Sequence, residues 1–262
     1  MSSLNQDLRV SYVQTELVWE NPIANCAQLE ESIQNLQGLT DLIVLPEMFS
    51  TGFSMSEIGA EISEGPTVQW MKLQAARLQV LLIGSLKIKE SGHYYNRLMA
   101  VHPSGHIDHY DKRHLFRMGE EDSFYTAGER PCLISYKSWS IAPFICYDLR
   151  FPVWSRNVNL GYDLAIYVAN WPAVRINAWS SLLRARAIEN LAYVVGVNRV
   201  GVDGSQLEYA GASSIISYKG EDLLPLTAEP SIQTYSLSFQ ALLDFREKFP
   251  AHLDADEFRL LT

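Results

Sequence analysis

Six short apolar runs, separated by longer segments of mixed polarity, constrain the fold of this 262-residue chain more than any other feature. Each run is five to seven residues long and rich in Val, Ile, Leu or Ala. A run of this length is typical of a buried strand, because a strand covered on both faces turns no polar side to solvent. The sequence therefore predicts strands at Leu8 to Val13, Asp41 to Leu45, Val80 to Leu86, Ile141 to Ile145, Leu164 to Ala169 and Tyr193 to Asn198.

Helical patterns alternate with these runs. The first covers about Pro22 to Leu36, where apolar residues recur every three or four positions and form one face, which predicts that Cys26 lies in the core. The others cover about Thr67 to Leu78 and about Asn177 to Leu191. Strands that alternate with helices predict an α/β fold in which helices pack outside layered sheets.

Two chain reversals are also predicted. Arg97 to Val101 and His106 to Tyr110 flank the turn Pro103-Ser104-Gly105, which predicts a hairpin, because Pro and Gly supply the backbone angles of a turn. Gly201 to Gly204 marks a similar reversal.

The chain contains no repeat and no Pro/Gly/Ser-rich linker, so residues 1–262 are interpreted as a single domain. From about Leu242 onward, Phe245, Phe249 and Phe258 stand among charged residues. This pattern predicts a C-terminal tail that docks on the same subunit or on a partner.

Charge argues against two classes of partner. The chain has 30 acidic and 21 basic residues, a net charge of -9 and a pI near 5.2, so it repels nucleic acid and anionic membranes. Met1 to Val10 lacks the apolar core of a signal peptide, and no apolar run approaches the roughly 18 residues that a membrane span needs. We therefore expect a cytoplasmic protein.

Cysteine and histidine usage gives no sign of a disulfide framework or a metal site. Cys26, Cys132 and Cys146 are odd in number and far apart, so at least one thiol is expected to be free. The six histidines show no close metal-ligand spacing.

Cys146 is the candidate nucleophile. It ends the strand Ile141 to Ile145 and precedes Tyr147, at a sharp turn into a helix that Pro152 could start. A thiol there is exposed at the rim of the sheet, with backbone N–H groups directed toward it. Taken alone, however, a free cysteine is more often a buried and inert core residue.

Three charged residues accompany this candidate. Glu47 follows the strand Asp41 to Leu45, where partial desolvation suits a carboxylate to proton exchange, although it could be an ordinary loop acid. Lys112 follows the hairpin and could favour the thiolate or stabilise an oxyanion, although most lysines are simply solvated. Glu121 lies in an acidic run that usually forms a solvated face.

These residues share a position at strand ends, and an α/β sheet can bring several strand ends to one rim. Cys146, Glu47 and Lys112 then form a coherent set: a nucleophile, a base that accepts its proton, and a cation for the attacked carbonyl.

Further side chains at the same rim are candidates for substrate binding. Asn170 and Trp171 follow the strand Leu164 to Ala169 and could shape a small pocket, although Trp171 could equally be rim packing. Arg150 could bind a substrate carboxylate with its guanidinium, or it could form a structural ion pair with Asp148. His114 is interpreted as a structural hydrogen-bonding residue rather than a base.

Three blocks of the chain together resemble the nitrilase (carbon-nitrogen hydrolase) superfamily. They are Leu45-Pro46-Glu47, Tyr110-Asp111-Lys112-Arg113-His114-Leu115-Phe116 and Cys146-Tyr147-Asp148-Leu149-Arg150-Phe151-Pro152. The likeness covers nearly the whole chain and includes Asn170-Trp171-Pro172 and Arg184 to Asn190. Within the superfamily the chain is similar to bacterial omega-amidases, which release ammonia from the distal amide of 2-oxoglutaramate or 2-oxosuccinamate.

The resemblance implies a four-layer αββα sandwich that pairs into a homodimer. It also implies that Cys146 is the nucleophile, Glu47 the general base and acid, Lys112 the oxyanion-stabilising cation and Glu121 a second family glutamate. The backbone N–H of Tyr147 is expected to assist Lys112. No metal or organic cofactor is required, because the thiol supplies the nucleophile and the protein supplies the proton transfers.

Other functions remain open at this point. Tyr147-Asp148 after the nucleophile resembles the amidase branches rather than the Trp-Glu of nitrile-hydrolysing members, and Arg117 stands where many relatives carry Asp. The same residues could serve an amidase for N-carbamoyl amino acids or deaminated glutathione. A non-catalytic binding or scaffold member would lack a triad residue, and none is lacking here.

Overall fold

Thirteen strands and five α-helices make up the described part of the chain. The structure is a computed structural model that describes residues 6–260, so the ends of the interpreted domain 1–262, and Met1 to Asn5 of the segment without a signal-peptide pattern, lie outside the described residues. The helices are α1 (Pro22–Ile33), α2 (Pro66–Leu78), α3 (Glu121–Phe124), α4 (Ile176–Asn190) and α5 (Phe239–Lys248). The strands are β1 (Leu8–Gln14), β2 (Leu42–Val44), β3 (Leu81–Glu90), β4 (His93–Val101), β5 (Ile107–Asp111), β6 (Ile134–Tyr136), β7 (Trp139–Ile145), β8 (Leu164–Ala169), β9 (Tyr193–Asn198), β10 (Val200–Val202), β11 (Glu208–Ala210), β12 (Ser214–Ile216) and β13 (Ser231–Leu237).

The first sheet has six strands in the order β13-β1-β2-β3-β4-β5. Strands β1, β2 and β3 are parallel, with Val10 opposite Leu42 and Leu42 opposite Leu81. Strands β4 and β5 form the antiparallel hairpin predicted from the turn at residues 103–105. Strand β13 pairs antiparallel with β1 and closes the other edge.

The second sheet has five strands in the order β12-β9-β8-β7-β6. Its centre, β7-β8-β9, is parallel, and its two edge strands are antiparallel. A separate pair, β10-β11, forms the reversal predicted near residues 201–204.

Alternate residues of the first sheet face different layers. Val13 and Ile43 pack with Leu29 of α1 and Met71 of α2 in one cluster, so these helices cover the outer face. Val10, Tyr12 and Val44 belong instead to the cluster that contains the second sheet and α4. Because side chains alternate across a strand, the two faces bury different neighbours and the layers are helix, sheet, sheet and helix. The predicted αββα sandwich is confirmed.

The six predicted strands and three predicted helices are all present. The prediction that Cys26 is a core residue is wrong. Cys26 packs against the outer cluster but is only partly buried. Close packing of α4 on the second sheet depends on Gly196, where an added Cβ would lie 2.4 Å from Leu183 Cδ1.

Helix α5 packs the first part of the C-terminal segment against the core of the same chain. Phe239 and Leu242 enter the main core, and Arg246 forms a 2.7 Å salt bridge with Asp163. The segment therefore docks on its own subunit as far as Lys248, whereas the side chains of Phe249 and Phe258 are exposed. None of the helices within residues 6–260 has the length and apolar character needed to cross a membrane.

Candidate active site

Four residues of the site lie just beyond the ends of four strands. Glu47 follows β2, Lys112 follows β5, Cys146 follows β7 and Asn170 follows β8. β2 belongs to one sheet and β8 to the other, yet Asn170 is hydrogen-bonded to Glu47. The predicted convergence at one rim is therefore observed, and it occurs across the interface between the two sheets.

Glu47 is completely buried and its carboxylate is held by three donors. The carboxylate accepts hydrogen bonds from Lys112 Nζ at 2.9 Å, Asn96 Nδ2 at 2.8 Å and the backbone N–H of Asn170 at 2.7 Å. The Asn170 amide also donates to the Glu47 carbonyl oxygen at 2.6 Å. These contacts fix the position of the carboxylate, so the reading of Glu47 as an ordinary exposed loop acid is wrong.

Lys112 is buried between two carboxylates. Its Nζ lies 2.9 Å from an oxygen of Glu47 and 2.9 Å from an oxygen of Glu121. Burial disfavours the charged ammonium, but the charges of Glu121 and Glu47 outweigh it and raise the pKa of Lys112 above its ordinary value. Lys112 is therefore a fixed cation at neutral pH and not a solvated surface lysine.

Glu121 opens α3 and is also fully buried. Its carboxylate accepts hydrogen bonds from the backbone N–H of Phe116 at 2.6 Å and from the side-chain amide of Asn96 at 3.2 Å. Burial raises the pKa of Glu121, and the Glu47 charge adds to this effect while Lys112 opposes it. The solvated-face interpretation is wrong for Glu121, although its neighbours Glu120 and Asp122 are exposed.

Cys146 lies directly beyond β7 with a left-handed φ of 47°. This backbone conformation is uncommon for a residue with a Cβ and marks a functional or strained position. A short 3-10 helix begins at Cys146 itself and ends at Arg150, so the expectation that a helix starts at Pro152 is wrong. The Asp148 carboxylate stabilises the turn by accepting the backbone N–H of Ile145 at 3.1 Å.

The thiol of Cys146 lies beside the charged cluster. Its Sγ is 4.0 Å from the carbonyl oxygen of Asn170. Burial and the nearby Glu47 carboxylate raise the pKa of Cys146, whereas Lys112 acts in the opposite direction. The sulfur is thus protonated at neutral pH until a base removes the proton.

A pocket of about 520 Å³ opens the site to solvent. Cys146 and Lys112 both line it, so the thiol is not sealed in an apolar interior. All four residues predicted for substrate or oxyanion contact also line it: Tyr147, Arg150, Asn170 and Trp171. Aromatic side chains form much of the remaining wall, namely Trp19, Phe53, Phe116 and Tyr209.

Trp171 is almost fully buried and rigidly held. Its indole N–H donates to the Arg175 carbonyl oxygen at 2.8 Å, and its backbone N–H donates to Asn198 at 2.8 Å. The Arg150 guanidinium lies 5.1 Å from the Trp171 ring centroid. Trp171 therefore both packs the rim and lines the pocket, which combines the two alternatives left open by the sequence.

The predicted ion pair between Arg150 and Asp148 is wrong. The Asp148 carboxylate instead accepts a hydrogen bond from the Tyr110 hydroxyl at 2.8 Å and lies 2.8 Å from His114 Nδ1. Arg150 is exposed and forms no salt bridge with any residue in the range 6–260. Its guanidinium is free to face the pocket.

His114 and Arg117 take structural and surface positions. The imidazole of His114 bonds to Asp148 and stacks on Phe151 with ring centroids 3.8 Å apart, which confirms the structural interpretation. The Arg117 side chain is 87% exposed and pairs with Asp122 at 3.1 Å.

Two asparagines were missed by sequence reasoning. Asn96 bridges Glu47 and Glu121 from the middle of β4, and Asn198, at the end of β9, fixes the backbone of Trp171. A polar residue inside an apolar strand is the signal that could have found them, because a buried amide requires hydrogen-bond partners.

Comparisons with known proteins agree with this geometry. Residues 9–245 match the family described as Carbon-nitrogen hydrolase. The chain is 45% identical to the omega-amidase YafV of Escherichia coli K12 over 97% of this chain and 98% of that one. It is 30% identical to the 2-oxoglutaramate amidase of Bacillus subtilis over 94% of this chain and 96% of that one.

A solved structure shares the whole fold. The crystal structure of XC1258 from Xanthomonas campestris, a CN-hydrolase superfamily protein with an arsenic adduct in its active site, superposes with a TM-score of 0.96. The two chains are 44% identical, and the match covers 97% of this chain and 99% of that chain. The sandwich is thus of the nitrilase type, and the chain belongs to the carbon-nitrogen hydrolase family.

Proposed function

We propose that this amidohydrolase releases ammonia from the distal amide of a small 2-oxo acid, 2-oxoglutaramate or 2-oxosuccinamate, through a thioester on Cys146. The observation that carries the proposal is the Lys112 ammonium, buried between Glu47 and Glu121 at a pocket that Cys146 also lines. The similarity to an omega-amidase and to a 2-oxoglutaramate amidase over nearly the whole chain supports the choice of substrate.

The first half of the reaction forms the acyl-enzyme. Glu47 accepts the proton of the Cys146 thiol while the sulfur bonds to the amide carbon. The carbonyl oxygen becomes an oxyanion, which Lys112 and the backbone N–H of Tyr147 stabilise. When the oxyanion collapses, the C–N bond breaks, Glu47 returns its proton to the nitrogen, and ammonia leaves.

The second half releases the acid. Glu47 takes a proton from a water molecule, and the resulting hydroxide bonds to the thioester carbon. The C–S bond then breaks, and Glu47 returns the proton to the Cys146 sulfur, which restores the starting state. One carboxylate thus acts as base and acid in turn, which its three fixed hydrogen bonds favour because they keep it in one place.

The pKa shifts fit this division of roles. Burial keeps Cys146 protonated, so proton transfer to Glu47 accompanies attack rather than preceding it. The raised pKa of Lys112 makes it a fixed positive charge and a poor proton donor. Glu121, bonded to Lys112 at 2.9 Å, orients that ammonium toward the reacting carbonyl.

The pocket suits a small anionic acyl group. Its volume of about 520 Å³ is in the range of small-molecule sites. Arg150 lines it and has no salt-bridge partner within residues 6–260, so its guanidinium is available to a substrate carboxylate. Asn170 and Trp171 shape the wall between Arg150 and the thiol.

Substitution of the nucleophile tests the mechanism. Cys146→Ala removes the sulfur and little volume, so we expect ammonia release to vanish while the circular dichroism spectrum stays unchanged. Retained turnover would contradict the assignment.

The substrate is tested by measuring the amine released from a panel of amides, which is ammonia for every member except deaminated glutathione, where it is cysteinylglycine. The panel contains 2-oxoglutaramate, 2-oxosuccinamate, an N-carbamoyl amino acid and deaminated glutathione, and we expect the highest kcat/KM for one of the two 2-oxo acids. Mass spectrometry of the enzyme quenched during turnover should show the matching acyl mass on Cys146. Preference for either of the other compounds would reassign the substrate, and release of neither ammonia nor cysteinylglycine from any compound would favour a non-catalytic member.

We also propose that the enzyme is a cytoplasmic homodimer that does not bind nucleic acid. The family resemblance supports the dimer, and the net charge of -9 disfavours a polyanionic partner. Light scattering would give the mass in solution, and a monomer mass would contradict the dimer.

A further inference from the structure

The turn of the β4-β5 hairpin carries three metal-ligating side chains, His102, His106 and Asp108. The imidazole Nε2 of His102 lies 2.8 Å from one Asp108 oxygen, and the Nε2 of His106 lies 3.3 Å from the other. One ligand atom from each residue lies within 4.8 Å of the other two. None of the three residues lines the catalytic pocket.

Hairpin pairing brings these residues together. Val101 is opposite Ile107, and the next pair outward joins His102 and His106, with a 2.9 Å hydrogen bond from the His102 N–H to the His106 carbonyl. Asp108 is two residues beyond His106, so it shares the same face of the strand. The spacing of the histidines did not reveal this cluster, because its third member is an aspartate and His102 meets the other two through the pairing of β4 with β5.

We propose that His102, His106 and Asp108 bind one Zn²⁺ ion, with water in the remaining position. Two imidazoles and a carboxylate are ligands that Zn²⁺ binds in proteins at about 2.0–2.2 Å. Donor atoms on one tetrahedral ion lie roughly 3.4 Å apart. The two imidazoles lie 2.8 and 3.3 Å from different oxygens of Asp108, and one ligand atom from each of the three residues lies within 4.8 Å of the others. Side-chain rotations that bring the three ligand atoms to equal spacing would complete the site.

The surroundings hold His102 in place, whereas His106 is accessible to solvent. The His102 side chain is only 14% exposed, and its ring packs edge-on against Tyr136 with centroids 5.8 Å apart, which sets the direction of its nitrogen. His106 is 64% exposed, so an ion can enter from solvent on its side. Asp108 adds the negative charge that a divalent cation requires.

Bound Zn²⁺ would join the two strands across the turn. Because only the paired strands hold the three ligands together, the ion binds the folded hairpin and stabilises the native state. The site is independent of the proposed amidase reaction, and the two proposals can fail separately.

Equilibrium dialysis and thermal unfolding with ZnCl₂ test the site. The full-length Cys146→Ala chain is the host, since the active-site thiol could bind zinc itself. Within this host we compare His102→Ala, His106→Ala and Asp108→Asn with the control His109→Ala, which removes an exposed histidine from the other face of the same strand. His106 is exposed, so its variant keeps the test valid even if a His102 variant folds poorly.

We expect one equivalent of Zn²⁺ and a zinc-dependent rise in Tm for the host and for His109→Ala. Each of the other variants should bind at least about tenfold more weakly and lose the rise in Tm. Co²⁺ substitution should give visible d–d bands without a thiolate charge-transfer band. Unchanged zinc affinity in His106→Ala, no zinc bound by the host, or a thiolate band that dominates the spectrum would overturn the proposal.

Discussion

Lys112 and Lys87 are both buried completely, yet their surroundings differ. Lys112 Nζ lies 2.9 Å from two carboxylates in the catalytic cluster. Lys87, in β3, donates to three neutral oxygens and, within residues 6–260, to no carboxylate: the Ser54 hydroxyl at 2.9 Å, the Ser56 carbonyl at 2.5 Å and the Ile58 carbonyl at 3.0 Å. One ammonium is neutralised by its neighbours, and the other is only hydrogen-bonded.

The two pKa shifts have opposite directions as a result. Burial lowers the pKa of Lys87 to about 8, and the distant Glu20 charge opposes it only in part. At Lys112 the same burial is outweighed by Glu121 and Glu47. Burial alone therefore lowers the pKa of a lysine toward neutrality, whereas paired carboxylates keep it a permanent cation, which suits Lys112 to the proposed stabilisation of an oxyanion.

The two lysines also differ in their position relative to the pocket. Lys112 faces the pocket directly, whereas Lys87 ties down the segment 54–58. Ser54 and Met55 of that segment line the pocket wall. We therefore expect Lys87 to act as a positioning residue, through the segment that it holds.

The largest effect should come from Lys112→Met. We expect kcat to fall by roughly 10²–10³-fold, because the oxyanion loses its cation. Glu47 and Glu121 would then be buried together without a counter-ion, so the free energy of unfolding should drop by about 3–5 kcal/mol. Steady-state kinetics and urea unfolding measure the two effects.

A double substitution separates these two losses. Adding Glu121→Gln to Lys112→Met removes one of the stranded carboxylates, so part of the stability should return while the rate stays low. If kcat of the double variant recovered together with its stability, Lys112 would affect the rate only by stabilising the fold.

A smaller effect is expected from Lys87→Met. Loss of three hydrogen bonds should loosen the pocket wall, so KM should rise while kcat stays within about twofold of the parent value. Lys89→Met is the matched control, since Lys89 is exposed on the same strand and its ammonium donates a hydrogen bond to the Tyr94 hydroxyl. A drop in kcat at constant KM would place Lys87 closer to the chemistry than its contacts indicate.

The stability of the two lysine variants should also depend differently on pH. The folded pKa of Lys87, about 8, is below its ordinary value of 10.5, so the unfolded chain binds the extra proton between these values. Stability relative to Lys87→Met should therefore rise as the pH increases from 7 to 10, by up to about 3 kcal/mol.

Lys112 gives the opposite expectation over the same range. Its folded pKa is above 10.5, so its stabilising contribution is complete below that pH and is lost only at still higher pH. Lys112 should therefore add no pH dependence to the parent's own stability from pH 7 to 10. A Lys87→Met stability curve that runs parallel to the parent's over this range, measured by urea unfolding, would refute the contrast.

The smallest effect should follow from removing the other thiols. Burial, together with Glu61 for Cys26 and Asp108 for Cys132, raises the pKa of Cys26 to about 12 and that of Cys132 to about 11. Cys26→Ala and Cys132→Ala should therefore leave ammonia release within about twofold of the parent. A large loss in either would show that Cys146 is not the thiol that matters.

The strands, the helices and a layered α/β class could be predicted from the sequence because hydrophobic periodicity reports which faces are buried. The four-layer αββα sandwich was implied only by the resemblance to the nitrilase superfamily. The proximity of Cys146 and Asn170 could also be predicted, because each follows one of two adjacent parallel strands and such strand ends meet at a rim. Glu47 follows a strand of the other sheet, so the packing of the two sheets brings it to this rim. These features depend on local pattern, which the chain carries at each position.

The surroundings of charged residues were decided only by the tertiary structure. Lys87 meets Ser54 across 33 residues, and Asn96 meets Glu47 across 49, so no local pattern distinguishes either from a solvated side chain. Glu121 stands in a run of acids, yet it alone turns inward to Lys112. A side chain's charge state depends on the dielectric and the charges within a few ångströms, and those are set by residues distant in sequence.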